Sequence, residues 1–211
     1  MLIRTDGPAT GSVLEDNQMS PVTHFLISWS TGSAFAIGKK DRMLVTLAGT
    51  IPDIDGIGLL WDLPASHASG GDLVYWARFH HVLGHNITFC LAIVFCAWFL
   101  ASRRFMTCFA VFLAFHIHLL CDLVGSKGPD QYWSIPYLMP FSHSWDFVWT
   151  GQWPLNSWQN FAITAIAIIY CGYMAWGKGV SPVEVFSQRA NQVFADTLRL
   201  RFGAPPEIMA K

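Results

Sequence analysis

Two aspartates, Asp53 and Asp55, stand two residues apart inside the apolar run LVTLAGTIPDIDGIGLLW. An ionised carboxylate in low-dielectric surroundings costs several kcal/mol unless it is paired or binds a metal, so two at this spacing ask for a cation. Pro52 ends or kinks a helix and leaves free backbone groups beside them. A solvated helix end is the plain alternative, and the histidines decide between the two. His118 and Asp122 are i and i+4, so they share one helix face. In the run HHVLGH, His81 and His85 have helical spacing, whereas His80 and His85 converge only where a helix begins inside the motif. His24 opens the first apolar stretch.

Each of these residues also has a structural explanation. His118 with Asp122 would serve as a buried hydrogen bond, His24 as an interfacial histidine, and His116, roughly opposite His118 around a helix, as a packing residue in the bundle. His67 and His143 fall in loops, where His143 and Asp146 would line the site at most. The specificity therefore lies in the constellation and not in any one member.

The elements that must position these residues are apolar. Of 211 residues, 53% are hydrophobic and 13% charged, and the mean hydropathy is +0.36, which points to a membrane setting. A net charge of -1 with no basic block gives no reason to expect a nucleic-acid partner. The five cysteines lie in apolar runs at spacings that fit neither a zinc finger nor a redox pair, and read as packing residues. Residues 1–20 form a polar arm without the apolar core of a cleavable secretion signal.

Five apolar stretches follow, at residues 23–37, 43–61, 82–101, 105–124 and 158–176; the first is short and softened by Ser28, Ser30, Thr31, Gly32 and Ser33, as suits a helix packed against others, while the third and fourth are about long enough to cross the hydrocarbon. The expected fold is all-α, a polytopic bundle of about five membrane segments spanning 21–178, followed by a cytoplasmic amphipathic tail at 179–211. Lys39, Lys40, Arg42, Arg103, Arg104 and Lys178 fall on alternate connections, whereas Arg78 and Lys127 fall on the others. The positive-inside rule then places the first set in the cytoplasm. His24, Asp53, Asp55, His80, His81, His85, His118 and Asp122 all reach the opposite, extracytoplasmic level of an inner (plasma) membrane. In the tail, Ser181-Pro182-Val183-Glu184 reads as a helix start, with Val183, Phe186, Ala190, Val193 and Leu200 on one face and Gly203 ending the run.

Several motifs together resemble a known family: Thr23-His24-Phe25, PDID at 52–55, a His-x4-His motif at 80–85, and HxxxD at 118–122 followed by Gly and Pro. They are similar to the LexA-regulated, membrane-bound predicted metal-dependent hydrolases, over residues 21–141. The third motif of that family usually reads HRGxTHS, so the resemblance implies His80 and His85 as the metal pair, where helical spacing alone prefers His81. This chain departs from it with His81, Val82, Gly84 and Asn86. The His/Asp order is also similar, more weakly, to that of zinc-dependent phospholipases C.

Imidazole with carboxylate suits Zn, or Mn or Fe, and His24, Asp53, Asp55, His80, His85, His118 and Asp122 exceed the four ligands of one tetrahedral site, so two divalent ions are plausible. Asp53 or Asp55 would bridge them, a bound water with its pKa lowered to about 7 would be the nucleophile, and an unligated histidine, His81 or His116, would shuttle protons. Tryptophans 61, 76, 133, 145, 149, 153 and 158 settle the same end at headgroup depth, where the partner is the lipid bilayer and the substrate a lipid-like ester or phosphodiester, or another small molecule. The competing expectations are a metal or proton transporter, whose ligands gather nearer the midplane, and a structural membrane protein with a closed metal site.

Overall fold

The computed structural model describes residues 20–58, 83–128, 132–142 and 144–206, with the side chains of 55–58 excepted. Within them the chain is mostly helical. Helices α1 (Pro21–Ser33), α2 (Lys39–Ala48), α3 (Ile87–Leu100), α4 (Arg104–Gly125), α5 (Trp158–Lys178) and α6 (Gln188–Phe202) are joined by 3-10 segments at Ile51–Gly58 and Pro182–Val185. A short hairpin, β1 (Ser134–Pro136) paired antiparallel with β2 (Asp146–Val148), lies in what reads from sequence as an irregular loop.

Helix α4 is the axis of the molecule and packs against α1, α2 and α3. Its buried positions, Thr107, Ala110, Val111, Ala114, Phe115, His118, Asp122 and Gly125, recur at three- and four-residue intervals and so form one stripe. Small residues on that stripe let the neighbouring helices approach closely, as bilayer proteins require when lipid is as apolar as the core. The opposite face carries exposed Phe105, Phe109 and Leu120. The last two turns of the buried stripe hold His118 and Asp122.

By length and composition, α4 and α5 are long and apolar enough to cross a membrane. The first three expected segments contain shorter helices: α1 with 13 residues, α2 with 10 and α3 with 14, each at or below about 21 Å against roughly 30 Å of hydrocarbon. Local causes are visible. Helix α2 ends at Gly49, and Pro52 follows within a 3-10 turn. Helix α3 begins only at Ile87, where the Asn86 side chain accepts from the Phe89 N–H as an N-cap.

At the end remote from His118, buried Asp41 accepts backbone N–H bonds from Ser102 (2.8 Å) and Arg103 (2.9 Å) and so satisfies donors at the start of α4. Burial pushes its carboxyl up, but these hydrogen bonds outweigh burial and hold it below the usual carboxylate range. A depressed carboxylate stabilises the fold above its unfolded pKa, and that contribution is lost as pH falls through the folded value. Asp41→Asn should therefore cost about 1.5–3 kcal/mol at neutral pH. The difference from wild type should shrink below about pH 4, which thermal melts in detergent at several pH values would read.

Nearby, Arg42 grips Glu184 through Nε (2.8 Å) and Nη2 (2.9 Å), while the Trp29 indole N–H donates to the same carboxylate at 3.1 Å. Glu184 and Trp29 are fully buried. Ser181, Pro182 and Glu184 do start a helix, but a 3-10 turn of four residues, and Glu184 also pins this turn to α1 and α2. The tail helix starts again at Gln188, capped by Ser187. It is fastened to α5 by Arg199 Nε on the Trp176 carbonyl and by Asn191 on the Gly179 carbonyl. Within α6, Val193 and Leu200 are exposed seven residues apart, while Phe186, which sequence places on the same face, lies before the helix begins.

Candidate metal centre

The site forms where four chain segments end at one level. His24 lies in the first turn of α1, Asp53 in the 3-10 turn after α2, His85 just before α3, and His118 with Asp122 in the last two turns of α4. His24, Asp53, His118 and Asp122 each offer a ligand atom, all within 4.8 Å of one another. His85 joins them: its Nε2 is 3.1 Å from His118 Nε2, 3.3 Å from Asp122 Oδ2 and 3.8 Å from Asp53 Oδ1. His24 Nε2 is 3.1 Å from Asp122 Oδ1, and the His24 and His118 rings approach to 4.0 Å between centroids.

The tautomer of His118 shows what this packing needs. Its Nδ1 lies 3.0 Å from the Gly49 carbonyl, which only accepts, so Nδ1 carries the proton and donates. In the neutral ring Nε2 is then a bare lone pair. It faces Asp122 Oδ2 at 3.1 Å and Asp53 Oδ1 at 3.5 Å, as well as His85 Nε2. Acceptors converging at these distances repel unless a proton on His85 Nε2 or a cation lies among them, and a backbone carbonyl fixing the remote ring nitrogen is the usual support of a metal-bound histidine. The donor set fits a divalent ion of the Zn, Mn or Fe class. Ser126 Oγ–H donates to Asp122 Oδ1 at 3.2 Å and helps orient that carboxylate.

Two glycines make the convergence possible. A side-chain carbon on Gly84 would stand 2.3 Å from the Pro52 carbonyl oxygen, so only glycine lets the segment carrying His85 press against the turn carrying Asp53. A carbon on Gly49 would meet Ser28 Oγ at 2.0 Å and the Ala114 carbonyl at 3.2 Å. Gly84→Ala should accordingly separate His85 from Asp53 and cut bound metal severalfold without removing any donor, as elemental analysis of the purified variant would show.

Five sequence-predicted ligands, His24, Asp53, His85, His118 and Asp122, are thus brought together. The side chain of Asp55 and residues His80 and His81 lie outside the described residues, as do His67 and His143. Residues 83–86 are not helical and α3 starts after them, so helical spacing does not argue for His81. His116 points elsewhere: its Nδ1–H donates to the Phe112 carbonyl at 2.8 Å, and its Nε2 accepts from the Tyr137 hydroxyl at 2.9 Å. Sequence reasoning missed Gly49, Gly84 and Ser126. Only Gly84, adjoining a ligand histidine, gave a signal that could have been read.

The described residues between 125 and 157 are tied to the ends of α3 and α4 that carry the cluster. Asn160 Nδ2 donates to the Gly125 and Leu155 carbonyls, and Gln152 exchanges hydrogen bonds with both backbone groups of Trp133. Two carbonyl groups left by the end of α4 are met in this way, Gly125 by Asn160 and Val124 by the Trp153 N–H. No curated protein and no solved structure matches the chain significantly. A sequence model described as YdjM inner membrane protein matches residues 19–186, which include every donor of the cluster and the Glu184 anchor, and the chain belongs to that family.

Proposed function

We propose that the protein is a membrane-bound, metal-dependent hydrolase acting on a lipid-like phosphodiester or ester at the outer face of the inner membrane. The observation that carries this reading is the convergence of His118 Nε2, its ring held through Nδ1 by the Gly49 carbonyl, with the carboxylates of Asp53 and Asp122 and the imidazoles of His24 and His85. His24, Asp53, His85, His118 and Asp122 would hold the ion, with Asp55 and His80 as further donors. A bound divalent ion would supply a Lewis acid for a phosphoryl or carbonyl oxygen and an activated water. The side chain of Asp53 is 6% exposed and those of the other four are fully buried, so the donor atoms are shielded from solvent. His116 is occupied by Tyr137 and Phe112, which leaves His81 as the histidine to carry protons.

The membrane placement follows the same logic. The five apolar segments would cross or enter the bilayer together, with Lys39, Lys40, Arg103, Arg104 and Lys178 at the cytoplasmic end and the cluster at the other. Arg42 contributes less to that count, because Glu184 neutralises it locally. Reporter fusions should place the loop containing Arg103 in the cytoplasm and Trp145 outside.

The deciding experiment is elemental analysis of the purified protein together with a screen of phosphodiester and ester lipids. Stoichiometric Zn, Mn or Fe with hydrolysis that chelation abolishes is the expected result. Metal bound tightly with no hydrolysis of any substrate would make this a closed structural site instead. His80→Ala should lower metal content more than His81→Ala, while His81→Ala should slow turnover with metal retained.

A further inference from the structure

Leu83 and Asn86 flank His85 closely in sequence, and both also line a crevice of about 250 Å³. Its other walls are Thr88, Phe89 and Ala92 from α3 and Met139 with Pro140 from the turn following β1. The two polar side chains among these turn their groups inward. Asn86 accepts from the Phe89 N–H and donates to the Leu83 carbonyl, and the Thr88 hydroxyl donates to the Met139 carbonyl at 3.0 Å. The crevice therefore offers an occupant mainly hydrocarbon.

Thr88, Ala92, Phe95 and Phe99 stand at i, i+4, i+7 and i+11, one stripe down α3. Phe95 and Phe99 are 65% and 64% exposed, so the crevice opens directly onto an outward apolar surface that, in an inner membrane protein, faces lipid. We infer that this crevice is an acyl-chain subsite, holding one hydrocarbon chain of a bilayer phospholipid that enters sideways along α3 and brings its headgroup to the level of His85. The inference rests on the lipid hydrolase reading and narrows its substrate to a membrane-resident diacyl or monoacyl lipid. A water-soluble ester would have no use for the groove.

The test uses the full-length protein in detergent with trace phosphatidylglycerol carrying a diazirine at the end of one acyl chain. After photolysis, mass spectrometry should find the label concentrated at residues 83–92 and 138–141. Excess unlabelled phosphatidylglycerol should suppress it there, while sparse labelling near Ile166 and Ile169 on the outer face of α5 should not respond. Ala92→Trp, which fills the crevice, should reduce the specific label severalfold and leave metal content unchanged. Labelling at the crevice no denser than at Ile166 and Ile169 in the wild type overturns the inference even if the Trp variant fails to fold. Crevice labelling in a metal-loaded protein that hydrolyses no lipid would leave the subsite standing and overturn the hydrolase reading, whereas lipid hydrolysis without crevice labelling would do the reverse.

Discussion

Asp122→Ala should abolish metal binding and all hydrolysis, the largest effect of any single substitution in the cluster. Each oxygen of Asp122 has separate duties: Oδ1 meets His24 Nε2 and the Ser126 hydroxyl, and Oδ2 faces both His85 and His118. Its removal leaves three imidazoles crowded in a fully buried site with one fewer negative charge to hold a cation. Breaking a buried charge pair by deleting one partner costs about 3–5 kcal/mol, so the variant should also melt earlier. Asp122→Asn separates charge from shape, since it can still accept from Ser126 while losing the anion. Metal content by elemental analysis should fall to background in both variants, with the Asn form the better folded of the two. Full metal retention in Asp122→Asn would remove Asp122 from the ligand set.

The site was legible in the sequence to the extent that helix pitch and chain direction dictate it. His118 and Asp122 needed only the i, i+4 rule, and once the apolar segments alternate in direction, His24, Asp53 and His85 must arrive at the level of the far end of α4. What sequence could not show are contacts between residues distant along the chain. Nothing near Gly84 announces that Pro52 will press against it, and nothing near Arg42 announces a carboxylate 142 residues later. Segment lengths were overestimated for a related reason. Hydropathy runs on through Gly49 and Pro52 without registering that the helix has ended, and it counts Leu83, Gly84 and His85 as span although they are not helical. The β1–β2 hairpin was hidden because each strand has only three residues, too few for an alternation to be recognised.

Glu184→Ala should be the most destabilising change at the end remote from the cluster, yet leave bound metal at the wild-type level. The carboxylate is buried between a bidentate guanidinium and the Trp29 indole, and Arg42, whose side chain is 14% exposed, has, among the described residues, the Ile37 carbonyl as its further partner from Nη1. Deleting the acid strands a largely buried cation, for which about 3–5 kcal/mol is the usual cost. Glu184→Gln keeps an acceptor for Trp29 and should lie between the two. Truncation after Gly179 removes the same carboxylate and also the Arg199 and Asn191 hydrogen bonds that finish α5, so it should be at least as damaging. All three variants keep His24, Asp53, His85, His118 and Asp122, and the cluster lies at the opposite ends of α2 and α4 from this anchor. Melting temperature and metal content measured on the same detergent-solubilised samples should therefore part company, the first falling and the second holding. Loss of metal in a Glu184→Ala protein that still inserts and remains folded would mean that the tail reaches the site after all, and that the separation of anchor and cluster along the bundle is wrong.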